Sequence, residues 1–244
     1  MQLSQNDLNN LLSIMSTATI CGMESLVIID GVARALNPSK TCFLRSESNI
    51  PKFDHPIGFG RIKDLTSRIN VFGDKSKIQV TAKESRRNEI ASLDLQAGKN
   101  KASYRCQSAS MLAAECPKNV PDASNPAFKI TLTKEECKMV LDAVKVMGSK
   151  QVSIVIKNAE VSMLVTDATN DQFSIGIERA AECLSDEESG ASNYAADVFC
   201  QLIREISSQT NNVVMQIGQK ETLSLNVSGH TAILLPQINE SEDE

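Results

Sequence analysis

Two hydrophobic periodicities alternate along the chain, and their order recurs. After a short strand at Met1-Gln2-Leu3, Leu8, Leu11, Leu12 and Met15 share one face at helical spacing, which predicts a helix from Gln5 to Met15. Strand-like runs follow at Leu26 to Asp30, Val32 to Leu36 and Thr41 to Glu47, punctuated by Gly31 and by Asn37-Pro38. The unit reads β-α-β-β-β. The same order returns with a strand from Phe128 to Leu132 and a capping box at Thr133-Lys134-Glu135-Glu136, where hydroxyl and carboxylate satisfy free helix N–H groups. Cys137, Val140, Leu141, Val144 and Met147 then form the apolar stripe. Three alternating strands complete it: Val152/Ile154/Ile156, Val161/Met163/Val165 and Phe173/Ile175/Ile177. Ser4 and Asp7 ahead of Leu8 echo the cap at Thr133 and Glu136.

Two weaker copies complete a fourfold pattern. In the second, a strand near Phe53 to Phe59 leads to a helix with Ile62, Leu65, Ile69 and Phe72 on one face, then to strands at Ile78/Val80/Ala82, Ile90 to Leu95 and Ala102 to Gln107. In the fourth, Tyr194 to Asp197 precedes a helix packing through Val198, Phe199, Leu202, Ile203 and Ile206. Strands at Val213 to Ile217, Leu223/Leu225/Val227 and Thr231 to Leu235 follow. Copies of this size pair as two domains, 1–110 and 128–238. Residues 111–127 between them, with Pro117, Pro121 and Pro126, read as an extended, non-helical surface connector. Residues 239–244 form an acidic tail, and Ser185 to Ser189 an acidic loop; both read as solvated segments.

At 244 residues, with 41% hydrophobic and 23% charged residues, the chain has the balance of a folded globular protein. No apolar run approaches the ~18 residues of a membrane span, and no basic region with an apolar core opens the chain, so an intracellular, cytoplasmic protein is expected. The seven cysteines form no CxxC pair and sit mostly in apolar runs, as buried thiols do, so no metal site is expected. His55 and His230 each adjoin a turn former and read as solvated turn residues. The common nucleotide-binding and hydrolase signatures are missing, which argues against an enzyme and gives no reason to expect a cofactor. A net charge of −5 argues against holding nucleic acid by charge over the whole surface. Seven Phe and two Tyr, mostly within apolar strand patterns, leave few aromatics for base stacking.

The ordered architecture, the opening Met1-Gln-Leu-Ser4, Gly58-Phe-Gly-Arg-Ile-Lys-Asp-Leu65, Tyr104-Arg-Cys-Gln-Ser108 and Ile233-Leu-Leu-Pro-Gln-Ile238 before the tail resemble the DNA polymerase sliding clamps. The nearest likeness is to the T4-like bacteriophage clamp. The resemblance covers nearly the whole chain. It implies an α+β DNA-clamp fold of two domains, each with two β-α-β-β-β repeats, antiparallel sheets outside and helices lining a ring. It also implies a closed homotrimer around duplex DNA that tethers a replicative DNA polymerase. An ATP-driven clamp loader would be separate, since this chain has no P-loop. In phage relatives such a ring can also serve transcription, within the infected bacterial host.

A threaded ring needs only a modest positive lining that slides along phosphates without reading bases. At 100° per residue, Lys134, Lys138 and Lys145 fall within roughly 40° of one another on the third helix. Arg61 and Arg68, seven residues apart, are nearly superposed on the second, and Arg204 sits on the polar face of the fourth. These six are the DNA-facing candidates; nearby Asp64, Glu135, Glu136 and Asp142 offer pairing instead. The first helix carries no Lys or Arg, and Lys83, Arg86 and Arg87 form a basic hairpin cluster that could supply its charge. From the resemblance, a partner-peptide pocket would use Val120 and Pro121 with Leu234, Leu235, Pro236 and Ile238. The competing readings are a β-rich scaffold or virion protein that does not close into a ring and, third, an enzyme using a cysteine with His55 or His230.

Overall fold

The computed structural model describes residues 1–118, 125–185, 189–218 and 220–237. In chain order the elements are β1 (Gln2–Leu3), α1 (Gln5–Ile20), β2 (Leu26–Ile29), β3 (Val32–Leu36), β4 (Cys42–Ser46), β5 (Ile57–Phe59) and α2 (Ile62–Val71). A short 3-10 turn (Lys75–Lys77) leads to β6 (Gln79–Glu84), β7 (Ile90–Ala97), β8 (Asn100–Arg105) and α3 (Ala109–Glu115). The second half holds β9 (Pro126–Thr133), α4 (Lys134–Met147), β10 (Gln151–Lys157), β11 (Glu160–Thr166), β12 (Gln172–Ile177) and β13 (Glu182–Cys183). It ends with β14 (Ser189–Ala195), α5 (Ala196–Gln209), β15 (Asn212–Gly218), β16 (Leu223–Val227) and β17 (His230–Leu234).

The chain divides into two units. One comprises Met1–Pro38, Phe43–Lys118 and Ser228–His230; the other takes the described residues of Ser39–Cys42, Asn119–Val227 and Thr231–Glu244. In each, the two repeats exchange their opening strands. In the first unit β1 pairs with β6, extending the run β8-β7-β6-β1, while β5 pairs with β2, extending β4-β3-β2-β5. In the second unit β9 pairs with β15 and β14 with β10, giving β17-β16-β15-β9-β13 and β12-β11-β10-β14. Neither repeat can complete its sheet alone, so each unit folds as a pair. The helices pack as α1 with α2 and α4 with α5, and they bury Leu8, Leu11, Ile14 and Met15 in one unit and Cys137, Val140, Phe199, Leu202 and Ile203 in the other.

Caps start the helices where the sequence places them. The Ser4 hydroxyl accepts from the Asp7 N–H at 3.1 Å. At α4, the Glu136 carboxylate accepts from the Thr133 N–H at 2.7 Å, while the Thr133 hydroxyl accepts from the Glu136 N–H at 3.2 Å. Its other oxygen accepts from the Glu178 N–H at 2.9 Å, tying the start of α4 to the end of β12. Gly148, in the left-handed conformation at φ 61°, ends the helix.

Several expectations are corrected. α1 runs to Ile20 instead of Met15, because Met15, Thr17 and Ala18 continue the buried face. β5 starts at Ile57 instead of Phe53: Pro51 and Pro56 have no N–H to give a ladder. β14 begins at Ser189, where Ser, Gly and Asn hide the strand pattern, and α5 already begins at Ala196. The connector is not extended throughout, since Ala109–Glu115 is helical. Ala109 and Leu112 of α3 pack on Val27, with Ile29 and Ala113 alongside. The carboxylate of Glu89, before β7, accepts from the Ala109 N–H at 3.1 Å, the Ser110 N–H at 2.9 Å and the Ser108 hydroxyl at 3.0 Å, so the cap comes from a distant element. Gly58 makes room: a Cβ there would lie 2.6 Å from the Gln107 carbonyl and 3.1 Å from Leu112 Cδ1.

His230 is not solvated; it is fully buried. The Ser46 hydroxyl donates to the Ser48 carbonyl at 3.0 Å and therefore accepts from His230 Nδ1–H at 2.8 Å. This leaves Nε2 to accept from the Ser13 hydroxyl at 3.1 Å, and burial pushes the imidazole pKa down. His55 is half-buried, with Nε2 3.4 Å from Glu84.

Candidate nucleic-acid interface

On α4 the side buried against the sheets runs through Glu136, Cys137, Val140 and Ala143, which turns Lys134, Lys138 and Lys145 to solvent. All three lysines are exposed, and none forms an ion pair among the described residues. Glu136, a possible partner by sequence, is consumed by the cap. Burial pushes its pKa up, but the N–H groups of Thr133 and Glu178 and the Thr133 hydroxyl outweigh this and hold the carboxyl below its ordinary value. The same arc carries Asp142 and Glu135, then the exposed Met139 and Val146, so the basic row is one edge of the exposed face.

α2 departs from the expected pair. Arg61 precedes the first helical residue and lies 3.5 Å from Asp64. Arg68 turns back onto the protein: its guanidinium donates to the Ser103 carbonyl and stands 5.9 Å from the centre of the Tyr104 ring. The two arginines are therefore not a superposed row, because helical spacing says nothing about a partner on β8. Lys63, not among the six expected cations, is exposed beside Ser67 and Asn70 on the solvent side of α2. Its signal was available, since it stands opposite Leu65 and Ile69 on the helical wheel. α1 presents Gln5, Asn6, Asn9 and Ser16 without a cation, and Lys83 of the hairpin cluster is ion-paired with Asp94.

Arg204 is exposed on α5 and lines a concavity of about 510 Å³ within the second unit, together with Thr41, Val144, Lys150, Cys200 and Gln237. The side-chain oxygen of Gln237 is buried there without a hydrogen-bond partner among the described residues. Burial pushes the Cys200 thiol up to about 11, so it is protonated at neutral pH. Of the expected pocket residues, Val120, Pro121 and Ile238 lie outside the described residues. Leu234 is fully buried in β17, as part of the core and not a free anchor surface. Leu235 and Pro236 are half-buried, and the Leu235 N–H donates to the Thr41 carbonyl at 2.9 Å.

Among the described residues, no three His, Cys, Asp or Glu side chains are grouped to hold a metal ion, and no helix is long and apolar enough to cross a membrane. No family model matches the chain, and no curated protein matches it in sequence. Solved structures do. The chain is similar to one in the structure described as the C-terminal region of FEN-1 bound to A. fulgidus PCNA, at 14% identity and TM-score 0.62 over 98% of each chain. It is similar to PCNA from Thermococcus kodakaraensis at 11% identity and TM-score 0.61, over 97% of this chain and 99% of that one. PCNA from Entamoeba histolytica gives 10% identity and TM-score 0.63, over 97% and 98%. At such low identity the likeness is one of fold: over 97–98% of its length the chain has the α+β fold of the PCNA sliding clamps.

Proposed function

We propose that the chain is a sliding clamp, a homotrimeric ring that encircles duplex DNA and tethers a replicative DNA polymerase without chemistry of its own. The observation that carries the reading is the doubled, strand-exchanged β-α-β-β-β unit, which matches PCNA over 98% of the chain. The unpaired cations of α4 support it. Lys134, Lys138 and Lys145, with Lys63 of α2 added, give a phosphate-contacting lining, while Arg68 is bound to its own sheet. Self-assembly is supported by β8 and β12, each of which pairs on one flank only among the described residues, leaving the other for a second copy's strand.

For partner proteins, the concavity beside Gln237 is the better candidate, because Val144 and Cys200 together with Thr41, Gln201 and Gln237 line it with the mixed apolar and polar groups that a bound peptide needs. A separate ATP-driven loader would open the ring. The motifs Gly58–Leu65 and Tyr104–Ser108 favour a T4-like phage clamp among relatives of this fold, one that also serves transcription.

Native mass tests the assembly: three copies are expected, and a monomer at micromolar concentration rejects the ring. Retention tests the mechanism. After loader-dependent loading, the protein should remain on circular DNA and run off linear DNA, whereas equal escape from both rejects topological linkage. Replacing Lys134, Lys138 and Lys145 by Gln should impair loading while leaving the native mass unchanged.

A further inference from the structure

Unit 1 carries a basic surface on the face of β6, β7 and β8 that points away from α1 and α2. Along β6, Val80 and Ala82 are buried while Gln79, Thr81 and Lys83 are exposed. Strand register places Lys83 opposite Ser92 of β7 and Ser92 opposite Arg105 of β8, so the three form one row across the outer face. The β6–β7 turn holds Arg86 and Arg87, both exposed, three and four residues beyond Lys83 in the chain. The Ser85 N–H donates to the Glu89 carbonyl at 2.7 Å and the Arg87 N–H to the Ser85 hydroxyl at 3.1 Å, which fixes the turn. The nearby acids are engaged: Asp94 with Lys83, Glu84 with His55, and Glu89 with the start of α3. Three guanidinium groups at Arg86, Arg87 and Arg105 are thus left without an acidic partner among the described residues, on a chain of net charge −5.

We propose that Arg86, Arg87 and Arg105 form a second contact for nucleic acid, gripping the phosphate backbone of a duplex from outside and independently of any ring. Composition selects this occupant over an acidic protein. On β6, β7 and β8 the outer positions are Gln79, Thr81, Lys83, Ser92, Asp94, Gln96, Lys101, Ser103 and Arg105, of which Asp94 is paired with Lys83, and none is an apolar or aromatic side chain for a protein partner to bury. Hydroxyl, amide and guanidinium donors without an anchor suit phosphate oxygens. The buried Tyr104 leaves no stacking platform, which favours a duplex over an unpaired strand.

The test is fluorescence anisotropy on a short linear duplex, without loader, across a salt series. The triple variant Arg86→Gln/Arg87→Gln/Arg105→Gln is compared with the parent and with Lys134→Gln/Lys138→Gln/Lys145→Gln, and melting temperature checks that each folds. The arginine variant should bind roughly tenfold more weakly at low salt and lose up to about 2.7 from the slope of log K against log salt, at about 0.9 per phosphate contact. The lysine variant should retain more of that loader-free binding. Unchanged affinity and slope in the arginine variant overturns the proposal. So does tighter binding of a glutamate-rich peptide than of a duplex of equal charge, which would assign the surface to an acidic protein. The readout uses no loader and no closed DNA, so failure of the ring and failure of this contact are distinguishable.

Discussion

Replacing Glu136 by Ala should loosen the helix that carries the lysine row, by an amount the contacts set. The carboxylate accepts from the Thr133 N–H at 2.7 Å and the Glu178 N–H at 2.9 Å, and the residue is only 3% exposed. Losing the helix-start contact costs about 1 kcal/mol, and the stranded Glu178 N–H about 1–3 kcal/mol more. The sum of roughly 2–4 kcal/mol corresponds to about a 1 M fall in urea midpoint at a slope of roughly 3 kcal/mol/M. Circular dichroism would follow unfolding, and hydrogen exchange over α4 would localise the loss. The pH dependence gives a second reading. A carboxyl held below its ordinary value in the folded chain contributes stability above the unfolded value of 4.5, and that contribution is lost as pH falls through the folded value. The gap between parent and variant should therefore narrow in acid. A loss below about 0.5 kcal/mol, or a gap unchanged from neutral to strongly acidic pH, would refute the reasoning.

Gly58→Ala should cost about 1–3 kcal/mol and speed protease cleavage within α3, since the new methyl meets the Gln107 carbonyl; unchanged melting and cleavage would count against the tight seat. Because His230 is buried and neutral, stability should fall as pH drops below 6.5, by up to about 1.4 kcal/mol per pH unit until the folded imidazole itself protonates; a flat profile in His230→Asn and a sloping one in the parent is the expected pair. Burial raises the Cys106 thiol to about 12 and the Cys137 thiol to about 11, so alkylation of the native protein should label exposed Cys183 first; peptide mapping that finds Cys106 or Cys137 first would contradict this.

Much of the fold is legible because local signals agree. β10 and β11 alternate strictly and bury Val152, Ile154, Val161 and Met163 as their pattern demands. The Thr133 and Glu136 pair reads as a cap from four residues. α3 left a fainter trace: Leu26-Val-Ile-Ile29 does not alternate, and the structure explains the run by burying both faces of β2, with α3 against Val27. Among site residues, the exposure of the α4 lysines follows from the helical wheel. The fate of Arg68 does not, because its partner at Ser103 lies 35 residues away.

What depends on neighbours along the chain is thus legible before folding: the four β-α-β-β-β repeats, the caps of α1 and α4, the buried stripes and the lysine row of α4. Contacts distant in the chain set the rest: which strands exchange between repeats, that Glu89 caps α3, that His230 is held between Ser13 and Ser46, that Arg68 bonds to the Ser103 carbonyl, and that Lys83 and Arg105 share one row of the outer face. The physical reason is reach. Propensity, capping and periodicity act over a few residues, whereas these contacts join groups brought close only after the sheets have formed.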